Sequence, residues 1–178
     1  MLCIEASGSV VHILTIGDEE AEGPAVYLPR ELAFKLSITS GSSLCLLSES
    51  ALSFFKTDGE QLQRVDFGGG YLVDYCFTDS IQAVAVSRYV SGGSVTLSSY
   101  SDKGELLGSA ELSFSPLSVS AQGDRLFVLD QSVGYVFSND LELLSETGLP
   151  AGYGEALLTP DNDIILLSSY HGEKISTK

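Results

Sequence analysis

The stretch TPDNDIILL, residues 159–167, sets a run of turn-forming residues ahead of four unbroken aliphatic ones. Pro, Asp and Asn supply turn geometry, and a continuous apolar run suits an inner strand buried on both faces. Three earlier stretches repeat the plan: TSGSSLCLL from Thr39, TDSIQAVAV from Thr78 and AQGDRLFVL from Ala121. Their first strand residues read as Leu44, Ala83, Leu126 and Ile164, at steps of 39, 43 and 38 residues.

A period near 40 with several short strands per unit is the mark of a β-propeller blade. Each unit divides into strands a to d. Strand a is predicted at 31–38, 70–77, 115–120 and 154–158, and strand b follows each turn quoted above. Strand c is predicted at 51–55, 94–100 and 133–138, and strand d at 61–67, 106–114 and 143–149. The turns KTDGE (56–60), SDKGE (101–105) and SNDLE (138–142) join c to d, with glycine offering the positive φ of a tight hairpin in the first two. In ELAFKLSI, Leu32, Phe34, Leu36 and Ile38 alternate with period two. Pro29 and Glu31 could start a helix there. The matching segment GGYLVDYCF could not be helical, so the repeat register favours strand. Leu46, Val84, Val128 and Leu166 are the expected b-strand core.

The reading is all-β: four-stranded antiparallel blades, about four to four and a half of them, forming a partial or incomplete ring. One repeat domain spans 1–178, with units at approximately 1–29, 30–69, 70–114, 115–149 and 150–178. The first unit supplies strands b, c and d (LCIEA, SVVHILTI, PAVYLP), and the last supplies a, b and the start of c. Both ends contain a strand b, so they overlap rather than complement each other. Three arrangements are compatible: part of a longer propeller, a small four-bladed ring with a frayed strand, or half-rings that pair and cover their open edges.

Acidic residues outnumber basic ones 24 to 9, a net charge of −15, which disfavours a nucleic-acid partner and anionic lipid surfaces. It also keeps an all-β chain soluble and monomeric. Three cysteines, none in a CxxC pair, read as core residues: Cys3, Cys45 and Cys76. Zinc would need ligand clusters that are missing. No run approaches the ~20 apolar residues of a membrane span. No charged start with an apolar signal core is present either, so the cellular location stays unknown.

TPDND before IILLSS resembles the S-P-D-G-x-x-L/I turn of bacterial propellers grouped with the WD-repeat, TolB-like and quinoprotein-like superfamilies. The Asp/Lys-Gly-Glu-Leu-Leu turn is similar to their c-to-d hairpin. The resemblance covers nearly the whole chain and implies fold alone. Trp-Asp and Gly-His dipeptides are absent, as is every Trp, which argues against a pyrroloquinoline quinone site; no cofactor is expected. The resemblance further implies a protein of uncharacterised function, often part of an envelope-associated parent with its own anchor.

Catalytic patterns are thin. His12 alternates with apolar neighbours and reads as a strand position; His171 reads as a turn residue in SSYHGE. No HExxH, GxSxG or P-loop is present, and Gly68–Gly70 precede a strand rather than a helix. DEEAEG (18–23) and TPDNDI (159–164) gather oxygen ligands without calcium-loop spacing, so Asp161, Asn162 and Asp163 read as turn formers and no metal is expected.

By analogy with the propeller fold, a site belongs on the face made by the d-to-a and b-to-c loops. That face would present Tyr71, Arg88, Tyr89, Tyr153, Tyr170 and His171; Tyr71 and Tyr153 could instead pack at the start of strand a. The expectation is a non-catalytic binding or scaffold module for a protein or peptide, with self-association through open blade edges. The alternatives are a structural piece of a larger propeller protein and a hydrolase- or lyase-type enzyme with a loop-assembled site.

Overall fold

Turn and strand signals resolve into five antiparallel meanders. The computed structural model describes residues 2–7, 10–15, 25–27, 31–90 and 93–176, the first three stretches as backbone alone. The first sheet is β1 (Leu2–Ser7), β2 (Val10–Thr15) and β3 (Ala25–Tyr27). The second is β4 (Ala33–Ile38), β5 (Leu44–Ser48), β6 (Ala51–Phe55) and β7 (Gln61–Asp66). The third is β8 (Tyr71–Phe77), β9 (Gln82–Ser87), β10 (Val95–Tyr100) and β11 (Leu106–Leu112). The fourth is β12 (Ser118–Gln122), β13 (Arg125–Leu129), β14 (Val133–Ser138) and β15 (Leu143–Gly148). The fifth is β16 (Glu155–Leu158), β17 (Ile164–Leu167) and β18 (Gly172–Ile175). Every strand pairs with its sequence neighbour, as in propeller blades. The first and last sheets share no strand among the described residues.

The b strands form the middle of the core. Leu46, Val84, Val128 and Leu166 are all buried, as expected. From the second sheet to the fifth, successive sheets pack face to face. Cys45, Leu47, Leu52 and Phe54 meet Val84 and Tyr100. Ala83, Ala85, Val95 and Leu97 meet Val119, Leu126, Val128 and Phe137. Phe127, Leu129 and Val136 meet Ala156, Leu158, Ile164 and Leu166. Each buried aliphatic or Phe side chain contributes roughly 1.5–3 kcal/mol through removal from water.

This packing corrects the repeat register at one place. Leu44, Gln82, Leu126 and Ile164 pair across to Phe55, Tyr100, Phe137 and Ile175 respectively, so they are the equivalent positions. Ala83 lies one residue further and faces the fourth sheet instead. A shorter turn is the cause. The Thr78 N–H bonds the Ile81 carbonyl, whereas the Thr39 and Thr159 N–H groups reach Ser43 and Asp163. Gln82 is polar and looks like part of the turn, yet it is the first buried strand residue.

Innermost strands of adjacent sheets are tied by side chains. Asp74 Oδ2 accepts the Val119 N–H at 2.6 Å, and Ser120 Oγ accepts the Leu158 N–H at 3.2 Å. Ser118 Oγ donates to the Ala156 carbonyl at 3.3 Å. Cys45 and Cys76 are free thiols whose pKa values burial pushes up, in keeping with a packing role. The readings made for the Cys3 and His12 side chains and for residues 18–23 lie outside the described residues. The TPDND turn is a backbone device: Asn162 sits at φ 62°, and Thr159 Oγ1 accepts the Asp163 N–H at 3.1 Å.

Candidate functional site

In an antiparallel meander, strand a starts and strand d ends at the same edge. The d-to-a and b-to-c connections therefore share one face, and the a-to-b and c-to-d turns share the other. On the first face Tyr89 is 65% exposed, Tyr170 97% and Tyr71 50%. Arg88 and His171 are exposed as well. Tyr153 takes the alternative of packing beside strand a rather than standing on the rim: it is 7% exposed and packs with Phe127, Leu149 and Leu166. It lies two residues before β16, the innermost strand of the last sheet, and its ring is held by the apolar residues around it.

The Tyr153 hydroxyl is nonetheless at the centre of a polar network. It donates to Glu173 Oε2 at 2.6 Å and lies 3.0 Å from His171 Nε2. His171 Nδ1 lies 3.1 Å from Ser168 Oγ, which also accepts the N–H groups of Tyr170 and His171. With the phenol donating to Glu173, the imidazole can present Nε2–H to the phenol oxygen, while the Ser168 hydroxyl donates to the His171 carbonyl at 3.0 Å. The Glu173 carboxylate, by hydrogen bond and charge, raises the Tyr153 pKa, and desolvation adds to it. The network stiffens the turn, and Tyr153 and Ser168 line a cleft of about 550 Å³ together with Leu117, Gly152, Gly154, Glu155 and Ser169 among others.

The three described junctions between sheets differ at matching positions. Ser98, Tyr135 and Glu173 each pair with the same b-strand position, Val84, Val128 and Leu166. At the third-to-fourth junction, Phe114 stacks on Tyr135 with ring centroids 5.1 Å apart. At the fourth-to-fifth, Leu149 is buried and Tyr153 bonds Glu173. At the second-to-third, the matching position is Ser98, no ring among the described residues stacks on Phe67, and the space opens as a cleft of about 570 Å³. Val65, Phe67, Val84, Val86 and Tyr100 form its apolar lining; Thr96, Ser98 and Arg88 add polar groups.

The loop Gly68–Gly70 bounds this cleft. Gly68 and Gly69 adopt φ of 61° and 80°, which other residues reach only with strain. A Cβ at Gly70 would stand 2.6 Å from Val86 Cγ1, so the loop can cross β9 only as glycine. Gly69 and Gly70 also border a second depression with Tyr71, Phe34 and Glu49, which brings Tyr71 and Arg88 to either side of one loop.

Of the residues expected on this face, the structure joins Tyr153 to His171 and leaves Tyr89 and Tyr170 as separate exposed rings. Glu173, Ser168, Thr96, Ser98 and Tyr100 were not anticipated. A signal existed for three of them: SVTLSSY alternates Thr96, Ser98 and Tyr100 on one side, where VGYVFS carries Val133, Tyr135 and Phe137. Among the described residues no group of three His, Cys, Asp or Glu side chains could hold a metal ion. No helix of those residues is long and apolar enough to cross a membrane.

No family model and no curated protein matches the chain. Solved structures do match in fold. A Bacteroides caccae protein of unknown function is 14% identical with TM-score 0.56, the match covering 98% of this chain and 68% of that one. Kluyveromyces lactis Hsv2 is 15% identical with TM-score 0.65, covering 95% of this chain and 56% of its own length. BBS1N, solved in complex with ARL6DN, is 15% identical with TM-score 0.61, covering 99% and 63%. The chain thus spans roughly half to two thirds of the length of these structures. At such identities the likeness concerns the fold, and the chain has a β-propeller-like one.

Proposed function

We propose that the chain is a non-catalytic binding or scaffold module that takes a protein or peptide partner on the face of the d-to-a and b-to-c loops. One observation carries the reading: Tyr71 at the start of β8 and Tyr89 and Tyr170 in b-to-c loops stand 50%, 65% and 97% exposed at a single face. Strand geometry does not require aromatic side chains there, and exposed tyrosines favour contact surfaces. The opposite face carries tight turns around Asp58, Asp102 and Asp140, where composition follows hairpin geometry. A similar structure, BBS1N, was solved holding ARL6DN, which supports a protein partner. The Ser168–His171 pair lends the enzyme alternative little support, because the Ser168 hydroxyl donates to the His171 carbonyl at 3.0 Å and serves as a turn cap for the Tyr170 and His171 N–H groups.

The test replaces Tyr71, Tyr89 and Tyr170 by alanine together. All three are exposed, so the melting temperature should stay close to that of the parent. Cross-linking and affinity capture from the source cell should then lose the partners that the parent protein retains. A triple variant that keeps every partner overturns the reading.

A further inference from the structure

Building on that binding face, we propose that the cleft between the second and third sheets accepts an aromatic ring adjoining a carboxylate, both presented by a peptide partner. The cleft exists because of one position. Where the next junction closes by stacking Phe114 on Tyr135, this one carries Ser98 at the Tyr135 position, and Phe67 and Tyr100 line an open space with no ring stacked on Phe67. A ring supplied from outside would take the place that Tyr135 fills in the neighbouring repeat. It would meet Phe67 together with Val65, Val84 and Val86. The volume, about 570 Å³, falls within the range of sites that enclose small ligands or a few side chains.

The carboxylate follows from charge. Arg88 lines the cleft and makes no ion pair with the described residues, in a chain of net charge −15. The other charged residue of the lining, Asp66, is held by Arg64 at 2.9 Å. Glu111, beside the cleft, accepts hydrogen bonds from Thr96 at 2.6 Å and Ser94 at 3.3 Å. The guanidinium of Arg88 therefore remains for an incoming anion, which it can hold through paired N–H donors. Thr96 and Ser98 hydroxyls line the same space. A short peptide with one acidic residue suffers little repulsion from the acidic surface, whereas a polyanion would be rejected.

The probes are the dipeptides acetyl-Phe-Glu-amide and acetyl-Glu-Phe-amide, titrated into isotope-labelled protein and followed by amide shifts. Acetyl-Phe-Gln-amide lacks the charge and acetyl-Ala-Glu-amide lacks the ring. Shifts are expected at Gly68, Gly69, Val86 and Ser98 for one or both acidic aromatic probes, with binding roughly fivefold or more weaker for each control. Arg88→Gln, at an exposed position, should bring the acidic probe down to the level of its Gln counterpart. Ser98→Tyr should fill the cleft and abolish both. No shift at about 10 mM probe, where millimolar affinities register, overturns the proposal. Equal response to the controls, or binding unchanged by Arg88→Gln, overturns it too. Tyr71, Tyr89 and Tyr170 do not line this cleft, so their triple alanine variant should still bind the dipeptide. Loss of partners in that variant without dipeptide binding by the parent overturns the cleft and keeps the face; the reverse result keeps the cleft alone.

Discussion

The rings of Phe114 and Tyr135 stack with centroids 5.1 Å apart and planes 20° from parallel, sealing the third sheet against the fourth. Phe114 comes from the d-to-a connection of one repeat and Tyr135 from strand c of the next, so the contact locks two meanders that share no backbone hydrogen bonds. Replacing Tyr135 by Ser would copy the open junction at Ser98. It should cost about 2 kcal/mol, from lost apolar burial and the aromatic pair together. That lowers the melting temperature by roughly 4–8 °C for a chain of this size. A melt within 1 °C or so of the parent would mean the stack contributes nothing.

Gln82 is fully buried, and neither amide atom meets a hydrogen-bond partner among the described residues. The equivalent positions hold Leu44, Leu126 and Ile164. Gln82→Leu should stabilise the fold by about 1 kcal/mol, since it removes the cost of an unpaired buried amide. Thermal melting should rise by roughly 2–4 °C. A fall would show that the amide is satisfied in solution.

Val128 is wholly buried between the third and fourth sheets. Val128→Asp should yield no soluble folded protein, because an unpaired buried carboxylate costs several kcal/mol or more, a large part of a typical domain's stability. Expression trials with circular dichroism measure this directly. Soluble, strand-rich Val128→Asp protein would contradict the packing described.

Asp74 joins β8 to β12 through the Val119 N–H. Burial pushes its carboxyl above the ordinary aspartate range; the N–H groups of Tyr75 and Val119 oppose the shift, and Glu155 adds to it. The folded chain therefore keeps this proton to a higher pH than the unfolded chain does. Its stabilising contribution is full below the unfolded pKa and is lost as pH rises through the raised one. Asp74→Asn retains an acceptor oxygen and does not titrate. Urea melts from about pH 3 to 7 should show the parent losing stability relative to Asp74→Asn as pH increases. A constant difference would mean the carboxyl titrates alike in both states.

The contrast between Gln82 and Leu126 shows how far the sequence could be read. Turn residues and apolar runs located every b strand to within a residue or two, because turn geometry and period-two alternation are local properties of the chain. One residue fewer in the Thr78–Ile81 turn was enough to shift the apparent register, since a polar residue at a strand start looks like loop. Tyr153 was ambiguous for a related reason: a tyrosine beside glycines fits both a rim position and packing at the start of strand a, and only its neighbours from other strands select the second.

The sequence by itself therefore determined the all-β repeat, the order of strands within each sheet and, through that order, which loops share a face. Only the tertiary structure decided which junction is open. Phe67 and Ser98 line an open cleft, Phe114 stacks on Tyr135, and Tyr153 meets His171 and Glu173. Each outcome depends on whether two side chains, brought together by sheet packing, fill the space between them. That is a question of volume and hydrogen-bond partners in three dimensions, which no local pattern encodes.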